Sequence, residues 1–176
     1  MNKFLIRKTN PEDAYWITFV HVNTFCSTYK WLIPDNILQA RIDSINERTR
    51  KTRKSIENGK PFLVVENTEN HEIIWMLTYW ASRNEDYPNS WEIISIYLLP
   101  EYQKLGIGKK LFFAWIQELL NLWYDSMVVN VLKWNNAIWF YQKFGWVIIW
   151  EREDSFGPII MKENIILFND IKNIIQ

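Results

Sequence analysis

Glycine is scarce in this chain, with 5 in 176 residues where a share of roughly 7% is usual. Cysteine is scarcer still. The single Cys26 excludes an internal disulfide framework and fits a reducing compartment. The two histidines, His21 and His71, lack a convincing cysteine partner, which argues against a metal site. No apolar run reaches membrane-spanning length, and the opening M-N-K-F-L-I-R-K has too short an apolar core for a signal peptide, so the expected compartment is the cytoplasm. Neither sign of charge dominates: Lys plus Arg and Asp plus Glu each total 20, and nothing global favours a nucleic acid or a strongly acidic partner. The basic cluster Arg48, Arg50, Lys51, Arg53 and Lys54 is broken by threonines and followed by Glu57, as expected of a solvated helix face.

Tryptophan, by contrast, is abundant, at 11 residues. Several stand where glycine chemistry is expected. Trp134 lies in the turn K-W-N-N, Trp123 at the end of a long helical pattern in N-L-W-Y-D, and Trp31 in Y-K-W-L-I-P. Glycine there would supply a turn, the residue after a helix end and a loop. Two readings stand open: a naturally Trp-rich protein, or a gene from an organism in which the reassigned stop codon UGA means glycine.

The stretch that organises the chain is Y-L-L-P-E-Y-Q-K-L-G-I-G-K-K, residues 97–110. Ile93 to Leu99 has strand character and Pro100 ends it. From Lys109 the spacing is helical, with Leu111, Phe112, Trp115, Ile116, Leu119, Leu120 and Leu122 on one face. Gly106 and Gly108 lie between, flanked by Lys104, Lys109 and Lys110. Glycines at a strand-to-helix junction let backbone approach a ligand, and the first helical amides lack internal partners, so the stretch reads as an anion site, most simply for phosphate. The dinucleotide fingerprint fails because Leu111 takes its third glycine position, and the P-loop fails because no G-K-[ST] follows.

In chain order, Phe4 to Lys8 reads as a strand. Asn10 caps a helix with Pro11 in its first turn, running to about Phe25. Thr28 to Pro34 is a loop, and Asp35 to Asn58 is helical with a break at Ser44, where Ser44 and Glu47 have capping-box spacing. Pro61 to Glu66 and Ile73 to Ser82 form a hairpin, Arg83 to Ser90 a polar loop with Glu85 and Asp86, and Glu92 to Leu99 the next strand. After the glycine turn and its helix come a strand at Ser126 to Leu132, a short helix and a closing hairpin. The order is mixed α/β in one domain, residues 1–176, with a parallel crossover through the long helix.

Two motifs carry a resemblance. Q-x-x-G-x-G, at Gln103, Gly106 and Gly108, follows a strand ending Leu-Leu-Pro. N-x-A-x-x-F-Y-x-K-x-G spans eleven positions from Asn135 to Gly145. In this order they resemble the acetyl-CoA segments of the GNAT N-acetyltransferase superfamily. The resemblance implies an α/β GNAT-like acyl-CoA N-acyltransferase fold, with a central mixed, mostly antiparallel sheet flanked by helices, and acetyl-CoA as acetyl donor without a metal. It further implies that the backbone at Leu105, Gly106, Ile107, Gly108 and Lys109 binds the diphosphate. Gln103 shapes the loop and Lys104 lies near the phosphates. Tyr97, Leu98 and Leu99 pair with the pantetheine arm, a Leu98 or Leu99 amide polarises the thioester, and Asn135 bonds the arm. Tyr141 donates a proton to the leaving thiolate, a role that suits a phenol protonated at neutral pH.

Glu92 holds a place where some members keep a base; the other reading is an exposed strand-end carboxylate. The region after the first helix lines the acceptor side in the family, so Tyr29 and Trp31 are either acceptor contacts or loop packing. His21 reads as a packing residue, and Cys26 lacks a His partner for an acyl-cysteine route. The implied partner is an amine acceptor, a small molecule or a protein N-terminus, with a homodimer left open. The alternatives are a non-catalytic acyl-CoA sensor or regulatory domain, and a turn that binds only an inorganic anion. Trp134 and Trp139 flank Asn135 and either lie on the surface or obstruct the groove. Trp75, Trp80 and Trp91 load the central strands, at about 1–3 kcal/mol for each overpacked site. All 11 Trp positions accept glycine in a GNAT-like pattern, although Trp146 also suits an aromatic.

Overall fold

The structure is a computed structural model that describes residues 3–82, 86–87, 90–156 and 159–174. Most of the polar loop expected at Arg83 to Ser90, Glu85 included, lies outside the described residues. Seven strands form one sheet. They are β1 (Phe4–Lys8), β2 (Phe62–Asn67), β3 (Ile73–Ala81), β4 (Trp91–Leu98), β5 (Met127–Leu132), β6 (Val147–Phe156) and β7 (Ile159–Phe168). The helices are α1 (Ala14–Tyr29), α2 (Asp35–Asp43), α3 (Ile45–Glu57), α4 (Ile107–Asn121) and α5 (Ala137–Tyr141). The sheet order is β1-β2-β3-β4-β5-β7-β6. The pairs β1–β2, β2–β3, β5–β7 and β6–β7 are antiparallel, and β4–β5 is parallel through the α4 crossover. The expected mixed, mostly antiparallel sheet is therefore present. Among the described residues no helix is long and apolar enough to cross a membrane.

The chain divides into two compact units, Met1–Thr78 with Ser95–Gly108, and Tyr79–Ile94 with Lys109–Gln176. In the first, Asn10 accepts the Asp13 N–H while the Asp13 carboxylate accepts the Asn10 N–H. This reciprocal cap closes a 3-10 turn, Pro11–Asp13, that feeds α1. Ala14, Ile17, Val20 and Phe25 of α1 are buried, as are Val64, Val65, Ile73 and Ile74. Helix α1 continues to Tyr29, past the expected Phe25, because Cys26 to Tyr29 contains neither glycine nor proline to stop it.

The break at Ser44 is real, but the expected capping box is not made: Ser44 has no cap bond to the backbone of α3. Its hydroxyl donates to the Arg41 carbonyl and accepts from Arg48 Nε. The Ser44 N–H still reaches Ala40 and the Arg48 N–H still reaches Ser44, so the backbone ladder carries the restart. Arg50, Lys51, Arg53 and Lys54 are exposed as expected, while Arg48 is only partly so.

In the second unit α4 buries Leu111, Phe112, Trp115, Ile116 and Leu119, whereas Leu122 is exposed. Met127, Val128 and Val129 of β5 and Ile165 to Phe168 of β7 are also buried. Helix α4 ends in a Schellman motif. Trp123 N–H bonds the Leu120 carbonyl and Tyr124 N–H the Leu119 carbonyl, both at 3.0 Å. Trp123 takes the left-handed φ of +66°, which a β-carbon disfavours.

Candidate active site

Strand β4 and the turn after it place the first group of candidate residues, all in the first unit up to Gly108. The Leu99 N–H donates to the Ile74 carbonyl at 2.9 Å, so strand alternation points the Leu98 N–H the other way. Of the two amides expected to polarise a thioester, Leu99 is thus committed to the sheet and Leu98 alone remains. The Leu98 carbonyl accepts from Gln103 Nε2 at 2.9 Å and from Thr24 Oγ1 at 3.3 Å. The Gln103 bond ties the turn to the strand. The Tyr97 ring stacks on His21 with centroids 4.8 Å apart.

The turn itself has two left-handed residues, Lys104 at φ +62° and Gly106 at φ +76°. Helix α4 starts at Ile107, two residues before the expected Lys109, so Gly108 lies in its first turn. Among the described residues the Lys104, Leu105 and Gly106 amides donate to no backbone carbonyl. A β-carbon at Gly106 meets nothing within 4 Å, and one at Gly108 meets only Leu98 Cδ2 at 4.0 Å. Free amides on an open, exposed face at a helix start suit a diphosphate, with the exposed Lys104, Lys109 and Lys110 adjacent in sequence. The residues present therefore fit the phosphate end of acetyl-CoA.

The acceptor candidates separate. Tyr29 is 5% exposed and packs edge-on against Phe25, while Trp31 is 89% exposed. Sequence reasoning missed what surrounds His21. Arg41 of α2 donates from Nη2 to His21 Nε2 at 3.1 Å and lies 3.7 Å over the Phe25 ring. Burial, helped by the Arg41 and Arg48 charges, pulls the His21 imidazole down to about 3, so it is neutral and its Nε2 lone pair is engaged. The only available signal was the i, i+4 pair His21 and Phe25, too common to be read as a site. Burial pushes the Cys26 thiol up, away from the thiolate that an acyl-cysteine route needs.

The remaining candidates lie in the second unit. Glu92 is 2% exposed and accepts from Asn130 Nδ2 of β5, so the exposed strand-end reading is wrong and a buried, hydrogen-bonded carboxylate stands in its place. Asn135 Oδ1 accepts the Ala137 N–H at 2.8 Å, starting α5. Tyr141 is 3% exposed, its ring held against Phe112 and Phe168. Gly145, at φ +72°, caps the end of this segment as expected. Trp134 and Trp139 are 71% and 64% exposed, so their rings lie on the surface. Among the described residues no group of three His, Cys, Asp or Glu side chains is placed to hold a metal ion.

The sequence profile of the acetyltransferase (GNAT) domain matches residues 58–148. The chain is 27% identical over 158 residues to YuaI, an uncharacterized N-acetyltransferase of Bacillus subtilis (strain 168), covering 90% of this chain and 88% of that one. Its fold is similar to the PaiA N-acetyltransferase of Thermoplasma acidophilum in complex with coenzyme A, at TM-score 0.69 and 20% identity over 93% of this chain and 97% of that one. It is also similar to YncA of Salmonella typhimurium, a putative acetyltransferase with its cofactor acetyl-CoA, at TM-score 0.63 and 19% identity over 95% and 94%. The profile spans both glycine-turn and Asn135 motifs and more than half of the chain, and the chain is an acetyltransferase that belongs to the GNAT family.

Proposed function

We propose that this acetyltransferase moves the acetyl group of acetyl-CoA to a primary amine by direct attack in a ternary complex. The observation that carries the reading is the β4 end, left-handed turn and α4 start, with the Lys104, Leu105 and Gly106 amides bonded to no backbone carbonyl among the described residues and room around Gly106 and Gly108. The amides of Leu105 to Lys109 hold the diphosphate. The described β4–β5 ladder covers only Trp91 to Ile93, and the backbone of Tyr97 and Leu98 takes the pantetheine amides as an added strand. The Asn135 side chain steadies the same arm.

The amine nitrogen attacks the thioester carbonyl, and the Leu98 N–H stabilises the oxyanion that forms. The C–S bond then breaks. Tyr141 gives its proton to the departing thiolate, and Glu92 takes the proton lost by the amine through an intervening water. An acetyl-CoA substrate and a lone cysteine fit the cytoplasm.

The test follows CoA release over a panel of amines, comparing the protein with Tyr141→Phe. Loss of the hydroxyl lowers kcat by roughly 100-fold or more, while acetyl-CoA still raises the melting temperature. Full turnover by Tyr141→Phe sinks the assigned acid, and no turnover with any amine sinks the reaction.

A further inference from the structure

Two arginines of the first unit, Arg41 and Arg48, are joined through Ser44, whose hydroxyl donates to the Arg41 carbonyl and accepts from Arg48 Nε. Arg41 and Arg48 both bear on the His21 imidazole and on the Cys26 thiol. The charged and polar groups that act on Arg41 are Arg48, Tyr97, Cys26 and Tyr29, none of them a carboxylate. Among the described residues neither arginine forms an ion pair with an acid, whereas Arg7, Arg53 and Arg152 each do. Arg41 Nε is buried and has no hydrogen-bond partner.

A partly desolvated arginine with an orphan N–H, next to a second arginine, is costly unless something anionic joins it. The cluster has a definite address. The Arg41 guanidinium is bonded to His21, and His21 is stacked on Tyr97, the residue before the Leu98 amide that the proposed function assigns to the thioester. Resting on that reading, we propose that the acceptor is a small amine that also carries an oxyanion, a carboxylate or a phosphate, which the Arg41 and Arg48 guanidiniums bind. The planar fork of arginine matches either group. The neutral His21, lacking charge of its own, fixes the Arg41 fork instead of competing for the anion.

The experiment measures CoA release with matched amines: amino acids against their carboxamides, and 2-aminoethyl phosphate against ethanolamine. The acidic member of a pair is expected to have the higher kcat/KM by roughly 10- to 100-fold. The amino-acid arm or the phosphate arm shows which oxyanion is preferred. Arg41→Gln raises KM for the acidic members and brings the ratio towards one; Arg41→Lys restores part of it. A melting-temperature rise with acetyl-CoA confirms that each variant is folded. Equal turnover within pairs, or an Arg41→Gln loss that is the same for both members, overturns this inference and leaves the reaction standing. No turnover with any amine overturns the reaction itself and this inference with it.

A separate observation concerns the tryptophans. Trp123 is 96% exposed in a left-handed helix-end position that glycine fills without strain. Trp16, Trp31, Trp80, Trp134, Trp139 and Trp150 are also more than a third exposed, and the buried indole N–H groups of Trp91, Trp115 and Trp146 have no partner. A tryptophan that is placed by selection is usually well buried with its N–H bonded. We infer that Trp123 and the exposed tryptophans stand at UGA codons that the source organism translates as glycine. The gene and a peptide mass from the native organism decide it: UGA at position 123 with a glycine mass supports the inference, and UGG, or a tryptophan mass, overturns it.

Discussion

Arg7 and Asp13 are joined by two contacts, Nη1 to Oδ2 at 2.7 Å and Nη2 to Oδ1 at 2.8 Å, while Arg7 Nε reaches Glu66 at 2.8 Å. One side chain thus ties β1, β2 and the cap that starts α1. Asp13→Asn keeps the shape and removes the charge, and it is expected to cost about 2–3 kcal/mol in urea unfolding. Burial pushes the Asp13 carboxyl up, but the Arg7 guanidinium and the Asn10 N–H outweigh it and hold the group below its ordinary value. The contribution is present above the unfolded carboxyl range and is lost as pH falls below about 4. The wild-type stability curve should drop more steeply there than that of Asp13→Asn.

Titration of His21 acts in a higher window. Its folded pKa of about 3 lies below the unfolded value of about 6.5, so the unfolded chain binds more protons between them. Stability therefore rises with pH through this range and is lost as pH falls from about 6.5 towards 4. His21→Gln should flatten that part of the curve, and denaturant midpoints measured every half unit of pH would show it.

The two glycines of the turn should respond differently to alanine. Gly106→Ala forces a side chain into a left-handed φ and is expected to cost about 1 kcal/mol, with no steric clash to add to it. Gly108→Ala sits in a helix with room for its β-carbon, so the fold should gain a few tenths of a kcal/mol. Both should reduce the melting-temperature rise that acetyl-CoA produces. An undiminished rise for Gly108→Ala would mean that the added methyl points away from the phosphates.

Trp123→Gly is expected to stabilise the protein by about 1 kcal/mol, or roughly 2–4 °C in melting temperature. Trp16→Gly, in the first turn of α1, should instead destabilise by about 0.5 kcal/mol, because glycine is a poor helix former. A scanning calorimetry comparison of the two separates helix-end geometry from a general effect of removing exposed indole.

Much of the fold was legible because its signals are local. The strand-to-helix change of period around Gly106, the Asn10-Pro11 start and the β-branched run at β5 each follow from a few neighbouring residues. The candidate site was legible where backbone matters, at Gln103, Gly106 and Gly108, and less so where tertiary contacts decide. Nothing in sequence says that the Leu99 amide belongs to Ile74 or that Glu92 is buried with Asn130. The Arg41 and Arg48 pair was hidden because the bend at Ser44 sets which faces of α2 and α3 turn towards α1. The Ser44 and Glu47 spacing misled because the Ser44 hydroxyl found Arg41 and Arg48 before it found a free amide.

The left-handed Lys104, with the Gln103 side chain anchored to Leu98, has a kinetic consequence. A lysine at φ +62° carries about 1 kcal/mol of backbone strain, and the Gln103 bond holds it in place before any ligand arrives. The turn is set during folding, so the proposed capture of the diphosphate would require little ordering of the loop, and its association rate should depend more on salt than on viscosity-limited rearrangement.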